Sequence, residues 1–165
     1  MAEWTHKKLV RRMVGWLKAQ RMSTVVIAEL AAGNNIETPD VIAWHGGASI
    51  LIECKTSRAD FHADKEKHFR KFEEHGMGDT RYFAAPAGVL KPEDIPEGWG
   101  LMEVDERFVR TKVQASHKEA NKRAEGVMLV SAIRRLELST AVYVVQDSDA
   151  ENPGADRCAK QETKT

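Results

Sequence analysis

Apolar residues recur along the chain with two different periods, and the changes of period mark the elements. Across residues 5–20, Leu9, Met13, Trp16 and Leu17 recur at three- and four-residue spacings, while His6, Lys7, Arg11, Arg12 and Lys18 occupy the remaining positions. That stripe predicts an amphipathic helix with Thr5 as its cap. Residues 23–30, STVVIAEL, are β-branched and apolar enough for a buried strand, with one acid, Glu29, near its end. Gly33-Asn34-Asn35 signals a turn, and Pro39 stands where a strand tolerates the missing N–H. Two short apolar runs, 41–44 and 49–54, flank Gly46-Gly47, a pair able to supply the positive φ of a tight antiparallel hairpin. Ser57 is placed to cap a second helix reaching Gly76, with Phe61, Phe69 and Phe72 on one face.

Beyond it, DTRYFAAP (79–86) reads as a fourth strand, 88–98 as a proline-rich loop, WGLMEVDE (99–106) as a fifth strand and 108–113 as its partner. A long helix is expected from Ser116 or His117. Its buried side would be Ala120, Ala124, Val127, Met128, Ser131, Ile133 and Leu136, with Arg123, Arg134 and Arg135 exposed. Residues 141–145 fit either a last strand or a continued helix. From Asp147 the chain is polar and aperiodic, the composition of a disordered tail. The order predicts one α/β domain over 1–146, a mixed β-sheet flanked by helices, followed by a tail at 147–165.

The hairpin carries the chemistry. With the turn centred on the glycines, Asp40 falls opposite Glu53, and alternation brings Lys55 out on the same face while Ile50, Ile52 and Cys54 point into a core. Opposed carboxylates about 5 Å apart repel by roughly 3 kcal/mol at an effective dielectric near 20, a penalty that a bound cation reverses. Glu29 is a candidate third acid, since a carboxylate closing a buried strand calls for a partner or an ion. Glu37 is expected on the surface, Trp44 in the core and His45 exposed. Ser57, Asp60 and Asp64, in the helix that leaves the Lys55 strand, are expected near the acids; helix capping and solubility account for Asp60 at least as well and for Asp64 better.

Lys plus Arg and Asp plus Glu both total 25, so no global field draws the chain to nucleic acid, and any attraction is local. Basic residues cluster at 6–12, 65–71 and 118–123. Cys54 and Cys158 form neither a disulfide framework nor a zinc spacing, and no apolar run approaches a membrane span or a secretory signal. A cytoplasmic protein without membrane contact is the expectation.

Pro39-Asp40 followed by Glu53-Cys54-Lys55 resembles the PD-(D/E)XK nuclease superfamily. The run ECKTSRADFHADK, together with RYFAAP and GLMEVD, resembles more closely the MmcB-like DNA-repair nuclease family over about half the chain. This sequence departs from that pattern in Cys54, in the insertion HFRKFEEHGMGDT and in its tail. The resemblance implies a restriction-endonuclease-like fold and a Mg²⁺- or Mn²⁺-dependent endonuclease acting on DNA in repair or phage DNA processing. Asp40, Glu53 and the Cys54 backbone carbonyl would then hold the metal, with Glu29 as a further acid. Lys55 would orient water or steady the transition state, and Arg58 and Lys65 would meet the phosphates. By analogy with restriction enzymes and resolvases, a homodimer is implied. The alternative is a nuclease fold that binds nucleic acid or protein without cutting.

Overall fold

The computed structural model describes residues 3–20, 25–32, 37–65 and 76–136. The stripe read in the first segment becomes helix α1 (His6–Ala19), where Thr5 Oγ1 accepts the Lys8 N–H at 3.2 Å and Leu9, Val10, Met13 and Leu17 are buried. Six strands follow: β1 (Val25–Ala28), β2 (Val41–His45), β3 (Ala48–Cys54), β4 (Thr80–Pro86), β5 (Gly100–Val104) and β6 (Val109–Val113). They form a single mixed sheet in sequential order. The pairs β1–β2, β2–β3 and β5–β6 are antiparallel, whereas β3–β4 and β4–β5 are parallel.

The parallel pairs need crossovers, and helix α2 (Arg58–Lys65) begins the first of them. A short 3₁₀ turn, Pro92–Asp94, lies within the second, and helix α3 (Lys122–Arg135) closes the described chain. The fold is α/β, a six-stranded mixed sheet covered by helices on both faces.

Strand alternation divides the core in two. On one face Val41, Ala43, Ile52, Cys54, Tyr82, Ala84, Met102 and Val104 meet the buried stripe of α1. On the other, Ile42, Leu51, Phe83 and Leu101 meet Phe61 of α2 and Met128 of α3. Phe83 anchors that second side, stacked on Trp99 at 4.5 Å between ring centroids and edge-on to Phe61 at 4.9 Å.

Three expectations are corrected here. The last helix starts at Lys122, capped by Asn121 Oδ1, not at 116 or 117. Residues 116–121 instead give their N–H groups to distant carbonyls, Ser116 to Gly98, Lys118 to Asp79 and Asn121 to Gly76. The face of α3 expected to be buried is only partly so: Ala120 and Met128 are buried as expected, but Val127, Ile133 and Leu136 face solvent, and Glu125 turns inward. Glu37, expected on the surface, is buried and accepts the Met77 N–H at 2.8 Å. The continuation of α2 to Gly76 with Phe69 and Phe72, the run 141–145 and the tail at 147–165 lie outside the described residues.

Candidate functional site

A two-residue turn fixes the hairpin register. Gly46 (φ 55°) and Gly47 (φ 88°) both occupy the left-handed region, and His45 pairs with Ala48 across them. The ladder then runs Trp44 with Ser49 to Val41 with Ile52, which carries Asp40 to the position opposite Glu53. Glu53 and Lys55 are each only 3 % exposed, and Lys55 Nζ lies 3.4 Å from Glu53 Oε2. A lysine and a glutamate this far from water require each other's charge. The backbone of Lys55 is tied to the neighbouring strand, its N–H donating to the Ala84 carbonyl at 2.9 Å.

Asp40 lies at the rim of the sheet, its side chain 17 % exposed. Its Oδ2 accepts the Cys54 N–H at 2.7 Å, a bond that aims the carboxylate at the end of β3. From the N-terminus of α1, His6 Nε2 approaches Asp40 Oδ1 at 3.4 Å and Glu29 Oε1 at 3.5 Å, bridging the two acids. Glu29 is joined to Asp40 a second time, through its own N–H on the Asp40 carbonyl at 3.1 Å. Its φ of 51° is the sole positive value among described non-glycine residues, a conformation costing about 1–2 kcal/mol. Its side chain is 54 % exposed, so Glu29 belongs to the rim while Glu53 belongs to the interior.

These groups share one end of the sheet. β3, β4 and β5 run parallel and finish there, β2 starts there at Asp40, and β1 finishes there beside Glu29. Ligands of open α/β sheets bind outside the carboxyl ends of parallel strands, for that is where loops can converge around them.

Cys54, between Glu53 and Lys55, is buried, and burial first, then the carboxylates of Asp40 and Glu53, push its thiol well above its ordinary value. It is no nucleophile at neutral pH. Ser57 Oγ accepts the Asp60 N–H at 3.1 Å, so both residues act in the first turn of α2 and remain exposed. Arg58, expected to meet phosphate, is half-exposed and pairs with Asp94, Nη1 and Nη2 reaching its two oxygens at 2.6 and 2.7 Å. That hydrogen-bonded pair raises Arg58 above its ordinary value and, with the Lys91 N–H, lowers Asp94 to about 2. The side chains of Asp64 and Lys65 lie outside the described set. His45 is exposed as expected, and Trp44 is half-buried with its indole N–H on Glu125 Oε2 at 2.9 Å.

Among the described residues no three His, Cys, Asp or Glu side chains converge closely enough to form a metal cage. The donors of Asp40, Glu53 and the Cys54 carbonyl are hard oxygens and few in number, Asp40 at the partly exposed rim and the other two buried behind it. That suits Mg²⁺ or Mn²⁺, which bind through one or two carboxylates and keep several waters.

A buried network at the opposite end of the sheet went unseen in the sequence. Asp79 Oδ2 accepts from the Ser49 N–H (2.7 Å) and Lys122 Nζ (2.6 Å), while Glu125 Oε1 accepts from Ser49 Oγ (2.7 Å) and the Gly78 N–H (2.9 Å). Lys122 belongs to the basic cluster at 118–123, yet its ammonium also lies 3.2 Å from Glu125. Burial alone would raise Asp79, but the hydrogen bonds from Lys122 and Ser49 outweigh it and hold the carboxyl below its ordinary value. Burial would likewise lower Lys122, and Asp79 and Glu125 reverse that. With its lysine paired to two carboxylates, this network pins α3 to the sheet.

No known protein family has a sequence model that matches the chain, and no curated protein is similar to it in sequence. A solved structure is similar: a protein of unknown function from Silicibacter pomeroyi, 25 % identical, with a TM-score of 0.63 over 83 % of this chain and 92 % of that one. That structure has the same α/β fold.

Proposed function

We propose that this protein is a Mg²⁺- or Mn²⁺-dependent endonuclease that hydrolyses phosphodiester bonds in DNA, in repair or phage DNA processing, as its resemblance to MmcB-like nucleases implies. The observation that carries the reading is the hairpin register, which sets Asp40 across from Glu53 with Lys55 at 3.4 Å from the glutamate. Hydrolysis forms one P–O bond to water and breaks another, and the leaving oxygen acquires a proton while charge gathers on the phosphoryl oxygens. A metal ion at these donors would supply Lewis-acid compensation for that charge and a more acidic water.

The chain's own residues have distinct tasks. Asp40, fixed by the Cys54 N–H through Oδ2, turns Oδ1 towards His6 at the sheet rim. Glu53 holds the Lys55 ammonium in place on a rigid strand end, so that a positive charge stands ready for the phosphoryl group without reorganisation. Glu29 and His6 extend the polar rim. Exposed Lys7 and Arg11 on α1 offer sequence-independent contacts to the backbone.

A second reading has its own support. Asp40 is engaged with Cys54, the Glu53–Lys55 pair is buried, and the acids form no cage, which is an arrangement suited to a nuclease fold that binds without cutting. Incubation with Mg²⁺ or Mn²⁺ and supercoiled, linear, branched and single-stranded DNA, with an RNA panel beside them, separates the two. Under the proposed reading the wild type cuts at least one DNA substrate, and Asp40→Asn and Glu53→Gln each lower the rate by 100-fold or more. Metal-dependent cutting that survives both substitutions would remove the assignment, and binding without any cutting would favour the second reading.

A further inference from the structure

The end of the sheet that carries the candidate acids also holds a cavity of about 560 Å³, lined by Trp4, Pro86, Val104, Arg107, Phe108 and Arg110 among others. It sits on the α1 side, where β4 and β5 finish and β6 begins. Trp4 precedes by two residues the His6 that approaches Asp40 at 3.4 Å. We propose that this cavity receives one unpaired nucleobase of a nucleic acid whose backbone passes the Asp40 rim. The proposal deepens the hydrolytic reading and rests on it for the partner, naming single-stranded or locally unpaired nucleic acid as the substrate class.

Two aromatic walls, each with a cation over its ring, carry the argument. Lys8 Nζ stands 4.7 Å from the Trp4 ring centroid, and the Arg110 guanidinium carbon 5.0 Å from that of Phe108. Phe108 remains 54 % exposed, an unusual position for a phenylalanine lining a cavity with an apolar floor. Its loop is preset, because Asp105 Oδ1 accepts both the Arg107 and the Phe108 N–H groups. The carboxylates here already have cations, Asp105 facing Arg110 at 3.8 Å and Glu106 facing Lys8 at 3.3 Å, so they repel an anionic chain less than bare acids would. Flat aromatic faces beside guanidinium groups suit a base with a phosphate on either side. Such stacking needs the face of the base, which a paired duplex hides and a single strand, bulge or flipped nucleotide presents.

The test is binding without cutting, in EDTA, by fluorescence anisotropy. Its probes are a labelled 12-nucleotide single strand, the same strand fully paired, and a duplex with one bulged base. Phe108→Ala and Trp4→Leu are expected to weaken the single strand and the bulge by roughly tenfold or more, the loss of one stacked base, and the paired duplex by less than twofold. Equal losses on all three probes, no loss, or a wild type that binds none of them would overturn the proposal. Phe108→Leu keeps the apolar contact, so if Phe108→Ala fails to fold the leucine variant reports the same discrimination. Photocrosslinking a 5-bromouracil strand to the wild type adds an independent readout: attachment at Trp4 or Phe108 supports the cavity, and attachment elsewhere overturns it. A protein that cuts DNA but binds all probes unchanged after these substitutions would sink the cavity alone. One that loses unpaired probes as expected yet never cuts would sink the hydrolytic reading alone.

Discussion

Glu53 and Lys55 illustrate how a short charged motif acquires consequences once a fold encloses it. Removing one partner of a buried ion pair strands the other, at about 3–5 kcal/mol, whereas replacing both with apolar groups of similar volume is often neutral or stabilising. Glu53→Ala and Lys55→Ala are therefore each expected to lower the urea midpoint sharply. The double variant Glu53→Leu/Lys55→Met is expected to recover wild-type stability, within about 1 kcal/mol, while DNA cutting stays abolished. Such recovery would mean that the pair is retained for chemistry at the expense of stability. Asp40 demands similar care, because Asp40→Ala strips the Cys54 N–H of its acceptor and is expected to cost about 1–3 kcal/mol, whereas Asp40→Asn keeps an acceptor oxygen. Glu29 makes a different case. Its left-handed backbone is costly for any residue but glycine, so Glu29→Gly is expected to leave the melting temperature unchanged or raise it, while activity falls if the acid serves the site.

Among the elements, the β2–β3 hairpin was the most legible, and for a local reason: alternation and a glycine pair are enough to state which residues face each other. Ala substituted at Gly46 or Gly47 meets no neighbouring atom, so crowding plays no part and only φ matters. Each change is expected to lower stability by about 1 kcal/mol, and the double change to lower cutting as well by loosening the alignment of Asp40 with Glu53. Helix α3 was the least legible. Its helical spacing was read correctly, but its start was placed too early because the hydrogen bonds of residues 116–121 go to Gly98, Asp79 and Gly76, partners at 18 or more positions' remove. Its orientation was misread for a related reason. Glu125 turns inward because Ser49 and the Gly78 N–H await it, and no window of local sequence contains all three. The clamp between Arg58 and Asp94 was equally invisible, its partners lying 36 positions apart.

At the scale of the whole molecule, the Ser49–Asp79–Lys122–Glu125 network makes stability depend on pH from both sides. Asp79 has its carboxyl below the ordinary 3.8, so its contribution is complete above that value and disappears as pH falls through the lower folded one. Lys122 has its ammonium above the ordinary 10.5, so its contribution is complete below that value and disappears as pH rises through the higher folded one. Urea midpoints measured across pH are expected to show a plateau between those limits, and Asp79→Asn to lower the plateau and flatten the acidic limb. An unchanged acidic limb would mean that other carboxylates dominate. The same network lies at the end of the sheet remote from Asp40, so these variants are expected to keep their activity at neutral pH, where they remain folded. Across the molecule, then, one sheet end is fastened and the other is left for polar groups and the Trp4–Phe108 cavity.

The burial of Cys54 turns that division into something measurable in time. A thiol with no access to solvent and a raised pKa reacts with alkylating reagents only when the α1 layer over it or its own strand opens. In a chain carrying Cys158→Ser, the labelling of Cys54 becomes a clock for those openings, ticking at the strand that bears Glu53. A DNA fragment resting across the sheet end would slow it.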